Sequence, residues 1–525
     1  MPELVQPTAT PPARWAPDSP WPDGATNPVM RGFHPDPTVC RVDGPDGTWY
    51  HLVTSTFEYL PGLPVFRSRD LIGWELLGHV LDRDEQVDLL GVRDSGGLYA
   101  PTLRHDVRRG VFLLVCTVVG GVEGASGNFV CTATDPAGPW SDPVWWDTDG
   151  IDPSVLVDDD GRWWAHGTRL VAQPQWDQQT EVWVRELDPQ TLRLTGPEHV
   201  VWTGALIGAI WAEGPHLYRR DGHVYLLAAE GGTGRDHAVS VARAEHPTGP
   251  FVGNPRNPVL THRHLGSGSS VVNVGHADLV DAPDGSSWAL LLASRPVDGA
   301  DLLGRETFLV PVTWEDGWPV LAPGFGHLVP EPGGPTPSGA PATTSPEEWV
   351  AVRRQPARVG SAGDDGRVTL AAGEGLSGVT PAFLAQRVRD LTTPVEVVLE
   401  HVPPGVEAGL GLRYSTASWV AVLTDGGAVR VLSARDGAVE EIARVVVDVE
   451  VRSVALQLAG ARAVASWTDS EGSGHPVVDV DLAHLCAEAS GGFVGITAGV
   501  LAVVGNAGEG GVVAARFRTG GLTTA

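Results

Sequence analysis

Apolar residues in this chain recur every second position, or in short unbroken runs, and few long stretches repeat at 3.6. Val111-Phe112-Leu113-Leu114-Val115 and Val395-Glu396-Val397-Val398-Leu399-Glu400-His401 are examples of the two patterns. Successive side chains of a strand point to opposite faces of a sheet, so such runs read as buried and half-buried strands. With 66 Gly and 43 Pro as punctuation, the pattern predicts an all-β protein of many short strands.

A turn followed by an aromatic-led or apolar strand recurs five times in the first part of the chain. The copies are Asp46-Gly47-Thr48-Trp49-Tyr50, Arg109-Gly110-Val111-Phe112, Asp160-Gly161-Arg162-Trp163, Asp221-Gly222-His223-Val224-Tyr225 and Asp284-Gly285-Ser286-Ser287-Trp288, their glycines spaced by 63, 51, 61 and 63 residues. Four short strands with their turns need roughly 40 to 50 residues, so each interval holds one propeller blade. Five units predict a five-bladed β-propeller over 26–328.

A polar or small residue opens a strand nine to eleven positions before each turn glycine, in His34-Pro35-Asp36-Pro37, Tyr99-Ala100-Pro101-Thr102, Ile151-Asp152-Pro153-Ser154, Ala212-Glu213-Gly214-Pro215 and Gly275-His276-Ala277-Asp278. Equivalent blades place these residues on the innermost strands. Asp36, Asp152, Glu213 and His276 are therefore expected to converge at one end of the central channel.

Residues 1–25 are rich in Pro, Ala and Thr without period and read as a tail. Pro330-Glu331-Pro332-Gly333-Gly334-Pro335 continues as a linker composition, placed at 329–343. From 344 to 525 alternating strands return, at Val395–His401, Gly409–Tyr414, Ala428–Leu432 and Arg452–Gln457, and predict a β-sandwich.

The formal charge of −28 argues against nucleic acid and anionic membranes, whose binding relies on basic patches. A neutral substrate fits. Four scattered cysteines without a C-x-x-C suggest neither a disulfide framework nor a zinc site. The first residues lack a basic and an apolar signal region, no run of 18 apolar residues occurs, and a cytoplasmic location is expected. The 19 Trp serve either as sugar-stacking platforms or as core packing.

Singly, each acid has an ordinary reading, since Asp before Pro opens turns and Glu-Gly-Pro is a common strand entry. Three carboxylates sharing one pocket are different, because they repel one another and structure alone gains nothing from that. Glycoside hydrolysis needs such a set: one carboxylic acid to protonate the leaving oxygen and one carboxylate to activate water or attack the anomeric carbon. A third, close to the acid, raises its proton affinity.

The chain also resembles glycoside hydrolase family 43, in the branch of β-xylosidases and α-L-arabinofuranosidases that carries a C-terminal, concanavalin-like β-sandwich. The residues carrying the resemblance include Arg31-Gly32-Phe33-His34-Pro35-Asp36-Pro37, Ser55-Thr56-Phe57-Glu58-Tyr59-Leu60-Pro61-Gly62, Ser95-Gly96-Gly97-Leu98-Tyr99-Ala100-Pro101, Gly150-Ile151-Asp152-Pro153-Ser154, Ala212-Glu213-Gly214-Pro215-His216, Gly275-His276-Ala277-Asp278 and Leu303-Gly304-Arg305-Glu306-Thr307. It implies Asp36 as general base, Glu213 as general acid and Asp152 as the residue that tunes and orients the acid, in an inverting reaction. It further implies His276 below the sugar, Arg305 on sugar hydroxyls, and Phe57 and Tyr99 lining the pocket, Tyr99 standing where many relatives have Trp or Phe. Phe493 matches a sandwich residue that reaches into the pocket; the other reading is plain core packing.

Without the resemblance, His276 reads as a satisfied interior histidine and Arg305 as an ion-pair partner of Glu306. Some relatives hold calcium in the channel through water and a histidine, but no cluster of oxygen ligands in calcium-loop spacing occurs here, and no cofactor is expected. Asp158-Asp159-Asp160-Gly161 reads as a blade turn, and Gly231-Gly232-Thr233-Gly234-Arg235 as a loop without the Lys-Ser/Thr of a phosphate site. The expectation is an inverting exo-glycosidase taking terminal xylose or arabinofuranose from short oligosaccharides. The alternative is a non-catalytic carbohydrate-binding propeller, and homo-oligomerisation stays open.

Overall fold

A computed structural model describes residues 27–121, 126–328, 349–363, 365–505 and 511–519. The expected tail (1–25) and linker (329–343) lie outside the described residues. Strands dominate, and no helix among the described residues is long and apolar enough to cross a membrane.

The first part forms five antiparallel sheets, each a meander of sequence neighbours. The first sheet runs Thr38–Gly44, Gly47–Val53, Gly62–Ser68 and Glu75–Leu81. The second is built on Thr102–Asp106, Val111–Val119 and Gly127–Ala133, the third on Ile151–Val157, Trp163–Leu170, Thr180–Leu187 and Leu194–Trp202. Glu213–Arg220, His223–Glu230 and Ala238–Ala244 make the fourth. Val272–Asp281, Ser287–Ser294, Arg305–Glu315 and Trp318–Leu321 make the fifth. The five repeated glycines occupy the first hairpin of each sheet with φ between +62° and +98°. A residue with a Cβ enters that region at a cost, which is why the repeat is written in glycine.

The first strands of the five sheets touch in a closed cycle, first to second and so on until the fifth meets the first. Five apolar clusters fill the five gaps. Val53, Val65 and Val80 meet Leu103, Leu114 and Phe129 between the first two sheets, and Leu113 and Val130 meet Trp163 and Trp183 at the next gap. Leu156 and Trp164 meet Leu217 and Leu226, Leu227 and Val239 meet Leu291 and Phe308, and Leu52 and Phe66 meet Trp288 and Leu290 across the closing gap. The segment before the first sheet is laid on the fifth: Met30 bridges Thr307, and the His34 N–H donates to the Arg305 carbonyl at 3.1 Å.

The second part has a seven-stranded and a six-stranded sheet. The expected strands are present as Pro394–His401, Val406–Arg413, Ala428–Arg435 and Val451–Ala459. Val397, Leu410, Leu412, Val422, Val431, Val454 and Val500 form its core, in one cluster that also takes in Phe33, Phe57 and Tyr59 of the first part.

Besides this shared cluster, a strand pairing and an ion cluster join the parts. Ala351–Val352 pairs with Tyr59–Leu60 as antiparallel strands, and a buried ion cluster sits beside them. The Arg413 guanidinium, wholly buried, reaches Glu58 at 3.4 Å and Asp94 at 2.8 Å and donates to the Tyr59 hydroxyl at 2.9 Å. Arg353 meets Asp94 at 2.8 Å. Burial pushes Glu58 above the usual carboxylate range, and Arg413 opposes that push. Removing one member of a buried pair strands the other, so Arg413→Ala is expected to lose about 3–5 kcal/mol. The urea unfolding midpoint checks this, and an unchanged midpoint would show that the acids find other partners.

Candidate active site

The strand-opening residues reach the axis through a shared distortion. Asp36, Asp152 and His276 have φ of +53°, +53° and +49°, and in the fourth sheet Gly214, next to Glu213, has +54°. In the third, fourth and fifth sheets the pairing register shifts at this point, between Ile151 and Ser154, Glu213 and His216, and Gly275 and Asp278. A bulge breaks the alternation of side chains and re-aims one of them. Left-handed backbone costs about 1–2 kcal/mol for a residue with a Cβ, a strain that gathers at functional positions.

Asp36, Asp152, Glu213, His276, Arg305, Phe57, Tyr99 and Phe493 all line one cavity of about 580 Å³. Every candidate from the sequence is thus brought to the same place. Arg305 and Glu306 alternate along their strand: Arg305 donates to Asp36 Oδ1 at 3.0 Å, while Glu306 binds Arg295 at 2.6 Å. An Arg305–Glu306 ion pair is not formed.

The three carboxylates are 4%, 7% and 8% exposed for Asp36, Asp152 and Glu213, yet differ in proton affinity. At Asp36 burial pushes the pKa up, but Arg305, His276 and the Ser55 hydroxyl together outweigh it and hold the carboxyl below its usual value. Ser55 Oγ donates to Asp36 Oδ2 at 2.5 Å, and His276 Nδ1 lies 3.9 Å from Oδ1. Asp152 is raised to about 6, by burial first and by the charge of Asp36, against the pull of His276 and Arg305. Its Oδ2 accepts the Gly214 N–H at 2.9 Å, next to the acid it neighbours. Glu213 is raised well above its usual value, chiefly by burial and then by Asp152 and Asp36. Burial, which the sequence does not display, exceeds the like-charge effect.

A Cβ on Gly214 would come within 2.8 Å of the His276 ring, so this close approach requires glycine. From His276 the contacts run down the axis. His216 lies 6.3 Å away ring to ring, its Nδ1 3.1 Å from Arg104. Arg104 is paired with the buried Asp278 at 2.8 Å, which also accepts from the Tyr218 hydroxyl at 2.5 Å. Beyond this plug a second cavity of about 370 Å³ is lined by the far ends of the same first strands.

Phe493 is part of the pocket wall. Its ring stacks on Phe57 at 5.9 Å and 26° and meets Tyr99 edge-on at 5.9 Å. Its N–H donates to Ser95 Oγ at 3.0 Å and its carbonyl accepts from Arg305 at 3.3 Å. Sequence reasoning missed Ser55, and also Arg93, Gln178, Ile210 and Trp211, which line the cavity with Gly231–Gly234. Trp211, two residues before Glu213, is the signal that was available. Among the described residues no group of three or more His, Cys, Asp or Glu side chains is placed to share a metal ion.

The family model described as "Glycosyl hydrolases family 43" matches residues 25–319, and that for "Beta xylosidase C-terminal Concanavalin A-like domain" matches 342–518. The chain is 48% identical over 311 residues to a xylosidase/arabinosidase of Butyrivibrio fibrisolvens, covering 58% of each protein. It is 45% identical over 297 residues to a non-reducing end alpha-L-arabinofuranosidase of Bacteroides ovatus, covering 56% of this chain and 52% of that protein. The matches span just over half the length of these curated relatives. The solved structure of a xylan beta-1,4-xylosidase from Bacillus halodurans aligns with a TM-score of 0.84 at 28% identity, covering 95% of this chain and 100% of that one.

The raised carboxylates have a stability signature. Between the unfolded value near 4 and the value of about 6 for folded Asp152, the folded protein keeps a proton that the unfolded chain has released, so stability falls as pH rises through that window. Asp152→Asn removes the loss. Its Tm is expected to exceed that of the unsubstituted protein at pH 8, with the gap closing towards pH 4, while Asp36→Asn brings no such gain. A gap that does not change with pH would show that Asp152 carries no excess proton.

Proposed function

The chain belongs to glycosyl hydrolases family 43, and from that membership we propose that it is an inverting exo-glycosidase that releases terminal xylose or arabinofuranose from short oligosaccharides. The observation that carries the reading is the split in proton affinity among three buried carboxylates lining one cavity. Asp36 is shifted towards its ionised form and Glu213 towards its protonated form, the two directions that acid/base hydrolysis asks for.

In this reading the five meanders are the blades of a five-bladed β-propeller; the closed cycle of first strands and the five filled gaps support it. Asp36 takes a proton from water as the water oxygen bonds to the anomeric carbon. The bond from that carbon to the leaving oxygen breaks as Glu213 gives its proton to that oxygen. Asp152 keeps Glu213 protonated through its charge and steadies the adjoining backbone through the Gly214 N–H. Arg305 Nε, buried without a partner, suits a donor to a sugar hydroxyl. Phe57, Tyr99 and Phe493 offer apolar faces to the ring, and His276 forms the floor. The Phe493 loop, lent by the second part, narrows one side and favours end trimming over cleavage within long polymers. A cytoplasmic location belongs to the same reading, in keeping with four buried, free thiols.

An inverting site separates its two carboxyls by roughly 6.5–9.5 Å to admit water between base and sugar. Proton NMR of the first sugar released from a β-xyloside, or from an α-arabinofuranoside, is expected to show the opposite anomer before mutarotation. Early appearance of the starting anomer would make Asp36 a nucleophile. The roles of acid and base are separated by leaving group. Glu213→Ala is expected to lose about 10²–10⁴-fold on oligosaccharides and far less on a dinitrophenyl glycoside, whose anion leaves without a proton. Asp36→Ala is expected to stay low on both, and rescue of Asp36→Ala instead would reverse the assignment.

A further inference from the structure

The residues lining the large cavity fall into two groups. Phe57 and Phe493 bracket Arg305, whose guanidinium carbon lies 5.7 Å from each ring, and Arg305 holds Asp36. The second group comes from three loops beside Glu213: Gln178, then Ile210 and Trp211, then Gly231–Gly234. Glu213 delivers its proton to the leaving oxygen, so whatever hangs from that oxygen extends past Glu213 towards this second group.

Among the described residues Trp211 is the only tryptophan lining the cavity. Others, such as Trp163, Trp183 and Trp349, are fully buried in cores. Trp211 is half-buried. Its orientation is fixed all the same. The indole N–H donates to Gln178 Oε1 at 2.7 Å, and the Trp211 N–H donates to the Gln178 carbonyl at 3.2 Å. The Trp176 indole donates to the Ala209 carbonyl at 2.9 Å, the Gly231 N–H to the Ile210 carbonyl at 2.8 Å, and the Ala205 N–H to Glu230 at 2.9 Å. Trp211 and Gln178 both hold left-handed backbone, at φ +49° and +56°, which persists only where surroundings enforce it. A large apolar ring left half-open to water, with its one polar atom tied down and its surroundings pinned at four further points, has the form of a platform.

We propose that Trp211, clamped by Gln178, determines leaving-group specificity: it is the face on which the sugar ring next to the scissile bond stacks. The proposal rests on the glycosidase reading above. It gives the enzyme a preference for a leaving group that carries a pyranose ring over a small one without a ring.

The test compares kcat/KM on a neutral di- or trisaccharide with kcat/KM on the glycosyl azide of the same terminal sugar, whose leaving group has no ring. In Trp211→Ala the oligosaccharide-to-azide ratio is expected to fall roughly five- to tenfold, the size of one aromatic stacking contact, and Trp211→Phe is expected to restore most of it. Gln178→Ala, at an exposed side chain, frees the indole and is expected to lower the ratio in the same direction, which keeps the test valid if Trp211→Ala folds poorly. An unchanged ratio in both variants, with any loss shared equally by the two substrates, would reduce Trp211 to a support for Glu213 and overturn the proposal. Failure of the unsubstituted protein on both substrates would instead overturn the glycosidase reading, and the proposal with it.

Discussion

The burial of one guanidinium, that of Arg413, constrains both halves of this molecule and the site between them. An unpaired charge in that position would cost several kcal/mol, so Glu58, Asp94 and the Tyr59 hydroxyl are gathered around it. The order they impose travels. The other oxygen of Glu58 accepts the Ser95 N–H at 3.0 Å, and Ser95 Oγ in turn accepts the N–H of Phe493. Phe57 precedes Glu58 in sequence and shares a wall with Phe493 and Tyr99. The ion cluster that fastens the sandwich to the five sheets therefore also fixes the aromatic side of the cavity.

At the centre of the cycle the constraint is charge balance. Three buried carboxylates share the neighbourhood of Arg305, and its guanidinium is paired with Asp36, where Ser55 and His276 reinforce it. Asp152 and Glu213 are left with raised proton affinities, Glu213 in part through the charge of Asp152. The same burial that raises these proton affinities is costly to the fold, as are the left-handed residues that aim the side chains. The apolar clusters filling the gaps between sheets offset that cost at a distance from the chemistry.

What was legible in the sequence was whatever the five units repeat. The turn glycines could be found because only glycine adopts their backbone cheaply, and the strand-opening acids because they stand at a fixed offset from those turns. Arg305 was reached only through the family resemblance, since read alone it pairs with Glu306, whereas alternation along the strand sends Arg305 to Asp36 and Glu306 to Arg295. The rest had no period to betray it. Ser55, Gln178 and Trp211 come from connections that differ between units, and Arg413 looked like any polar residue of an alternating strand, 355 positions from Glu58. The leading cause of the shift at Glu213 is burial, a property of the closed assembly that no local stretch of sequence contains.

The plug of His216, Arg104, Asp278 and Tyr218 has a consequence for passage along the axis. It stands between the two cavities, Arg104 and Tyr218 lining the smaller one and His276 the larger. If a sugar is held in the larger cavity, as the glycosidase reading has it, passage down the axis would require breaking the buried Arg104–Asp278 pair, so it leaves by the side it entered.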